Sequence, residues 1–179
     1  MQILTLTSRM TRALDQAAEL LVLAFARYGA WTSLAEAREE VQEMLAPERI
    51  LRSALEGEEV LGWIGGIPHY DGHVWELHPL VVRPERQRQG IGTRLVQDFE
   101  TQVRARGGLT IQLGSDDLGG QTSLSGVDLY QNTWVHIRDI QNLKSHPYEF
   151  YQKLGYTITG VVPDANGRGK PDILLSKRV

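Results

Sequence analysis

The sequence predicts one α/β domain over residues 1–179, with helices set against a mixed β-sheet. Three observations carry this. Short segments rich in β-branched and aromatic residues alternate with segments whose apolar residues recur at helical spacing. A length of 179 residues suits one domain. Apolar residues make up 41% and charged ones 23%, the balance of a folded chain with a continuous core.

Residues 1–6 alternate as a strand. Leu14, Ala17, Ala18, Leu21, Ala24, Phe25 and Tyr28 then recur on one helical face, predicting an amphipathic helix over 10–28. A second helix is predicted over 33–45: Ser33 is the N-cap, Glu36 completes a capping box, and Pro47 follows its end. Arg49–Leu55 and Val60–Ile67 read as strands joined by a turn at Gly57-Glu58-Glu59. Val74–Val82 is a further strand. Gln89–Arg106 is the clearest helix, with Ile91, Leu95, Phe99 and Val103 four apart and Gly107-Gly108 closing it.

Leu109, Ile111 and Leu113 alternate as the next strand. Residues 115–146 are polar and irregular, with helical pieces expected around Val127–Gln131 and His136–Leu143. Tyr148–Leu154 is a short helix closed by Gly155. Tyr156–Val162 and Asp172–Ser176 are the last strands, with Asn166-Gly167 in the turn between them.

Composition narrows the function. A formal charge of -3 gives no general attraction to a nucleic-acid backbone. The longest apolar run, Leu20 to Ala26, falls far below the roughly 20 residues that cross a bilayer. The opening MQILTLTSRMTR lacks the basic-then-apolar order of a secretory signal, so a cytoplasmic location is expected. With no cysteine there are no disulfides, thiolate metal sites or cysteine nucleophiles. The five histidines show no metal-binding spacing, and no metal is expected.

The stretch Val81-Val82-Arg83-Pro84-Glu85-Arg86-Gln87-Arg88-Gln89-Gly90-Ile91-Gly92-Thr93 carries the chemistry. A strand runs into a basic loop with two close glycines and then into an amphipathic helix. Backbone N–H groups at a helix start, with the helix dipole behind them, form an anion site. Gly90 and Gly92 lack Cβ atoms and let a phosphate approach the main chain. Arg83, Arg86, Arg88, Arg94, Arg104 and Arg106 outnumber Glu85, Asp98 and Glu100 by three in the same segment. A Walker loop is excluded because no lysine follows either glycine, and a dinucleotide fingerprint because Leu95 occupies the third glycine position.

Gln87-Arg88-Gln89-Gly90-Ile91-Gly92 resembles the [QR]xxGx[GA] acetyl-CoA loop of the GCN5-related N-acetyltransferases (GNAT superfamily). Four further blocks, WELHPLVV at 75–82, GSDDL at 114–118, HPYEFYQKLGY at 146–156 and ANGRGKPDI at 165–173, resemble the bacterial aminoglycoside 6'-N-acetyltransferases. The resemblance covers most of residues 60–179; residues 1–47 match only in length and helical character. It implies the GNAT fold, a mixed sheet splayed at its centre and flanked by helices, with acetyl-CoA as cosubstrate. Leu80, Val82 and the loop Gln87, Arg88, Gln89, Gly90, Ile91, Gly92 and Thr93 would hold that cosubstrate. It also implies a homodimer and a role in antibiotic resistance.

Pro79 cannot donate to a sheet ladder, so it marks a bulge or an edge in its strand. The resemblance implies that the pantetheine arm pairs with the strand's backbone around Leu80 and Val82, and that the Leu80 N–H polarises the thioester carbonyl. The other reading of Pro79 is an edge strand without a ligand.

Without cysteine, and without a GxSxG elbow, direct attack of an amine on the thioester is the economical mechanism. Tyr151 is the candidate acid for the leaving thiolate, a role the resemblance implies; the competing reading is a core aromatic among Tyr148, Phe150 and Tyr156. Glu76 is the candidate for binding and deprotonating the acceptor, against an ordinary solvated strand residue. Strict alternation places Glu76, His78 and Leu80 on one face of the strand, subject to any bulge. His78 is either an assistant or a structural histidine.

For the acceptor, Asp15, Glu19, Glu36, Glu39, Glu40, Glu43 and Glu48 outnumber Arg27 and Arg38, and Asp116 and Asp117 follow a strand end. Such carboxylates either line a cleft for a polycation or solvate outer helix faces. Tyr70 or Trp31 would stack on a sugar ring. Together with this acidity, the resemblance implies an aminoglycoside 6'-amine as the acceptor. Alternatives are the same fold acting on polyamines or protein lysines, and a non-catalytic acyl-CoA sensor.

Overall fold

The computed structural model describes the backbone of all 179 residues and every side chain except that of Arg27. The chain forms two compact units, Met1–Ile111 with Val179, and Gln112–Arg178. The first contains β1 (Gln2–Thr5), α1 (Thr11–Phe25), α2 (Leu34–Glu43), β2 (Ile50–Glu56), β3 (Glu59–His69), β4 (Val74–Val82) and α3 (Ile91–Ala105). Its strands run in the order β1-β2-β3-β4, each antiparallel to the next. The second contains most of β5 (Thr110–Asp116), then α4 (Thr133–Arg138), α5 (Tyr148–Lys153), β6 (Thr157–Val162) and β7 (Asp172–Arg178), in strand order β5-β7-β6. The α/β reading holds. No helix among the described residues is long and apolar enough to cross a membrane.

In the first unit, α1 and α2 pack on one face of the sheet. Ala13, Ala17, Ala18, Leu20 and Leu21 of α1 meet Ala37 and Val41 of α2 and Leu51, Leu55, Val60, Trp63 and Val81 of the strands. The small alanines bring the helix backbone close enough for the Trp63 indole to donate to the Ala17 carbonyl at 3.0 Å. Trp63 is fully buried, and an aromatic of that size removes 150–250 Å² from water, roughly 4–6 kcal/mol at 25 cal/mol per Å². The capping box at α2 forms with a shift. Ser33 Oγ accepts from the Glu36 N–H at 3.3 Å, but Glu36 Oε2 reaches the Thr32 N–H at 2.9 Å rather than that of Ser33.

On the other face, α3 buries Ile91, Leu95, Val96, Phe99 and Val103. Arg52 of β2 grips Asp98 of α3 with two bonds, at 2.6 and 2.9 Å, in a half-buried setting where the paired geometry fixes the helix against the strand.

Several boundaries differ from the expected ones. The helix expected over 10–28 ends as α1 at Phe25, and Ala26–Tyr28 tighten into a 3-10 turn that Gly29 closes in the left-handed region. The helix expected from Gln89 starts at Ile91, because Arg88 and Gly90 both have positive φ, 61° and 81°. In the second unit Val127–Gln131 is not a helix, and of His136–Leu143 only His136–Arg138 are helical, as the end of α4. Asp128 accepts the Tyr130 N–H on its side chain and diverts the backbone into a turn. Gln141 and Leu143 are held back against Ser123 and Gln121 by main-chain bonds of 3.0 and 2.8 Å.

The expected irregularity at Pro79 is a bulge. Ile64 pairs with Leu80 and Gly66 with Leu77, so His78 and Pro79 of β4 oppose Gly65 alone. Gly65 is needed there: a Cβ on it would lie 2.2 Å from the His78 carbonyl oxygen and 2.6 Å from Met44 Cε. Replacing Gly65 by Ala is accordingly expected to cost about 2–3 kcal/mol through overpacking against backbone. Chemical denaturation measures this, and a variant as stable as the parent would contradict the packing described.

Candidate active site

The bulge decides which way β4 presents its side chains. His78 lies against α2, its Nε2 3.8 Å from Glu40 Oε1 and its ring 5.7 Å from that of Trp31. Val81, three positions on, also belongs to the core beneath α1 and α2. Two residues three apart share a strand face only if an extra residue intervenes. Glu76 and His78 therefore face α1 and α2, while Leu80 and Val82 turn to the opposite face. This corrects the strict alternation that grouped Leu80 with Glu76 and His78. Trp75 and Leu77 take the α3 face, where the Arg106 guanidinium lies 5.4 Å from the Trp75 ring centre.

The ladder also orients the backbone. Arg83 N–H donates to the Leu61 carbonyl at 2.8 Å, which makes Arg83 and Val81 the hydrogen-bonding partners of β3. By alternation, the N–H and C=O groups of Leu80 and Val82 point to the edge of β4 away from β3. The Val82 carbonyl accepts from the Gln87 side-chain amide at 3.1 Å.

Past β4 the chain makes a single 3-10 turn, Pro84–Arg86, and enters α3 through the glycine loop. Among the described residues, no protein acceptor takes the N–H groups of Arg88, Gln89, Gly90, Ile91, Gly92 and Thr93; the next amide, that of Arg94, bonds to the Gly90 carbonyl at 3.1 Å. Positive φ at Arg88 and Gly90 curls this run into a nest of donors at a helix start. A Cβ on Gly90 would meet nothing within 4 Å, so the space over the loop is open.

The arginine excess is smaller than the sequence count suggests. Arg86 pairs with Glu56 at 2.8 Å, and Arg83 with Glu59 and Glu85 at 3.4 and 3.6 Å. Arg106 donates to the Glu48 and Arg49 carbonyls. Arg104 sits in the last turn of α3, roughly 20 Å from its start at 1.5 Å per residue. Arg88 and Arg94 remain near the loop without ion-pair partners among the described residues. The cradle is mainly backbone.

On the α1/α2 face, Glu76 Oε2 lies 2.9 Å from His69 Nε2. His69 carried no expectation from sequence. The signal was the register: His69 and Glu76 stand on the same face on either side of the β3–β4 connection. Tyr70 follows in the turn Tyr70–Gly72, its side chain 75% exposed and its carbonyl accepting from His73 Nδ1. Trp31 is packed edge-on against Phe25, 5.1 Å between ring centres, and against His78, so its ring is committed to the fold. Of the acidic helical residues, Asp15 pairs with Arg38, Glu43 with Arg49, and Glu36 caps α2. Among the described residues only Glu40, 3.8 Å from His78, reaches a candidate site residue.

In the second unit, Asp116 and Asp117 separate in role. Asp117 is fully buried and accepts from the Gln121 and Thr122 N–H groups and the Thr122 hydroxyl at 2.6–2.8 Å, organising the loop that follows. Asp116 is exposed and bonds the Asn166 side-chain amide. Tyr151 is buried, flanked by Phe150 and Tyr156 rings at 5.0 and 5.8 Å. Burial pushes its phenol well above the ordinary value near 10. His146 is buried too: its Nδ1 accepts from the Tyr148 N–H at 3.2 Å and its Nε2 donates to the Asp116 carbonyl at 3.1 Å. That pattern fixes the neutral form with the proton on Nε2.

No group of side chains suited to a metal ion occurs among the described residues. An anion cradle of free amides, open above Gly90 and set at the end of a bulged strand, fits the pyrophosphate of coenzyme A.

The acetyltransferase (GNAT) family model matches residues 14–121. No match was found among curated proteins. Among solved structures, an aminoglycoside 6'-N-acetyltransferase complexed with coenzyme A is 47% identical with a TM-score of 0.93. The aminoglycoside 6'-N-acetyltransferase from Enterococcus faecium is 48% identical with a TM-score of 0.91, and an aminoglycoside 6'-acetyltransferase type Ii is 41% identical with a TM-score of 0.77. Each comparison covers 99% of this chain and 97% of the other. The chain belongs to the acetyltransferase (GNAT) family and has its fold. It is an acetyl-CoA-dependent N-acetyltransferase.

His146 generates a pH prediction. Desolvation lowers its pKa below the ordinary 6.5, so the unfolded chain binds more protons than the folded one as pH falls through that value. Its contribution to stability is complete above pH 6.5 and is lost below it. Denaturation midpoints should drop between pH 7.5 and pH 5, and His146→Gln should flatten the drop while lowering stability at pH 7.5. An unchanged slope in the variant would assign the acid sensitivity elsewhere.

Proposed function

We propose that this enzyme moves the acetyl group of acetyl-CoA to the 6'-amine of an aminoglycoside, with residues 1–179 acting as one catalytic domain. The observation that carries the reading is β4 itself. One bulged strand offers a carboxylate and an imidazole on one face, an outward amide at Leu80, and a run of six free N–H groups where it meets α3. The full-length similarity, at 41–48% identity, to three aminoglycoside acetyltransferases supplies the acceptor class.

Acetyl-CoA, when bound, supplies an activated thioester. The loop Gln87, Arg88, Gln89, Gly90, Ile91, Gly92 and Thr93 holds its pyrophosphate by main-chain donors, and the β4 edge at Leu80 and Val82 pairs with the pantetheine amides. The Leu80 N–H donates to the carbonyl oxygen as negative charge develops on it. Glu76 binds the acceptor as an ammonium and takes up its proton. Glu76 and Leu80 are four strand positions apart, roughly 13 Å at 3.3 Å per residue, so the proton travels through water. Tyr70 and Asp116 supply further contacts to the cationic sugar.

Tyr151 acts on the leaving group. Its raised pKa lies above the roughly 8.5 of a thiol, so full proton transfer from the phenol would run uphill. Its part is hydrogen-bond donation to the departing sulfur. Tyr151→Phe removes one donor to developing negative charge and should lower kcat by about 100-fold while coenzyme A affinity stays the same. Unchanged turnover would remove Tyr151 from the mechanism.

Gly90→Glu places a carboxylate in the cradle and should abolish coenzyme A binding by calorimetry on folded protein; retained affinity would sink the phosphate-loop reading. The acceptor is tested by coenzyme A release with kanamycin and with a 6'-hydroxyl analogue. Only the amine should react. Equal rates would overturn the regiochemistry, and faster reaction with spermidine or a lysine peptide would favour the alternative acceptors, which the Glu40–Glu76 face also suits. A homodimeric, cytoplasmic enzyme conferring aminoglycoside resistance is part of the same proposal, supported by the family resemblance. Light scattering tests the dimer, and inhibitory antibiotic concentration in an expressing host tests resistance.

A further inference from the structure

Glu76 has three freely turning side-chain bonds and stands half-exposed, so without a partner its carboxylate would sample many positions. It has one. His69, the last residue of β3, faces Val74 across the ladder, and Glu76 faces Ile67, which puts the two side chains diagonally adjacent on one face. His69 Nε2 lies 2.9 Å from Glu76 Oε2, within hydrogen-bond range, while Oε1 has no partner among the described residues.

We propose that His69 is a positioning residue for acetyl transfer: its Nε2–H holds Oε2 of Glu76 and leaves Oε1 turned to the acceptor amine. The inference rests on the proposed role of Glu76. With Nε2–H donating, the imidazole fixes the carboxylate without removing its negative charge, so attraction for an ammonium is kept and the disorder of the free side chain is settled before substrate arrives. No proton is passed to His69, whose Nε2 already carries one.

The test uses the full chain, with steady-state kinetics in acetyl-CoA and in kanamycin, for H69N, H69Q, E76Q and the H69N/E76Q double variant. Glutamine places an amide N–H close to where Nε2 stands, whereas asparagine is one bond too short. H69N should lower kcat/KM for kanamycin by about 10-fold, the scale of a hydrogen bond to a charged group, and leave the KM for acetyl-CoA unchanged. H69Q should recover to within about threefold of the parent on the same scale. H69N/E76Q should be no worse than E76Q alone, because two residues acting through one contact are not additive. Parental activity in H69N, no recovery in H69Q, or additive losses in the double variant would each overturn the role of His69. E76Q with parental activity would instead overturn the reading of Glu76, and the two failures are thereby told apart. Both single His69 variants replace a partly exposed residue with a polar one, and matching thermal melts confirm that folding is intact.

Discussion

The arrangement depends on one place in the sheet, where His78 and Pro79 of β4 meet Gly65 of β3 alone. A regular ladder would send Glu76, His78, Leu80 and Val82 to the same face. The bulge breaks that pattern after His78. It leaves the imidazole beside Glu40 and Trp31 and turns Leu80 over, with its amide on the edge of the strand away from β3. Proline at such a point removes a donor the ladder cannot use. Glycine opposite it accepts a carbonyl oxygen where any side chain would collide. Neither residue does chemistry, yet together they decide which groups of β4 face which partner.

The second constraint is electrostatic. A chain with net charge -3 must hold a polyanionic cosubstrate, and six arginines stand between residues 83 and 106. Most are spoken for: Arg83 and Arg86 neutralise Glu56, Glu59 and Glu85, and the hydrogen bond from Arg86 keeps the Glu56 carboxyl below its ordinary range. What remains is geometry. Six amides that no acceptor among the described residues takes, at a helix start, provide fixed partial charges that need no counterion and no side-chain ordering. Binding built this way depends on the path of the main chain, which explains why the positive φ at Arg88 and Gly90 matters more than the count of basic residues.

Much of this was legible from residues alone. The period of Ile91, Leu95, Phe99 and Val103 marked α3, and paired glycines after a strand marked the loop. Pro79 marked the irregularity. What escaped was whatever needed a second strand or a distant partner. The turnover of Leu80 depends on Gly65 lying opposite, which is a matter of register. The His69–Glu76 pair depends on the same register read across a connection. The fate of the arginines depends on glutamates of β2 and β3 more than twenty positions away. Within the irregular segment 115–146 the helical turn falls at Thr133–Arg138 for a different reason: the order there comes from Asp117 collecting three donors in the interior, and a buried carboxylate that builds a loop has no periodicity to detect.

Opposite charges must also be kept apart. A strand that serves both a cationic acceptor and an anionic cosubstrate would, if regular, set carboxylate and phosphate cradle along one face, each weakening the field of the other. The carboxylates of Glu76 in β4 and Glu40 in α2 gather on the α1/α2 face of the strand, and the donor run opens where β4 passes into α3. Fields between exposed groups fade over a Debye length, about 8 Å at physiological ionic strength, so even a few strand positions and a change of face suffice to let the two environments coexist. The bulge thus does for charge what it does for geometry: it lets one short strand carry two incompatible surroundings.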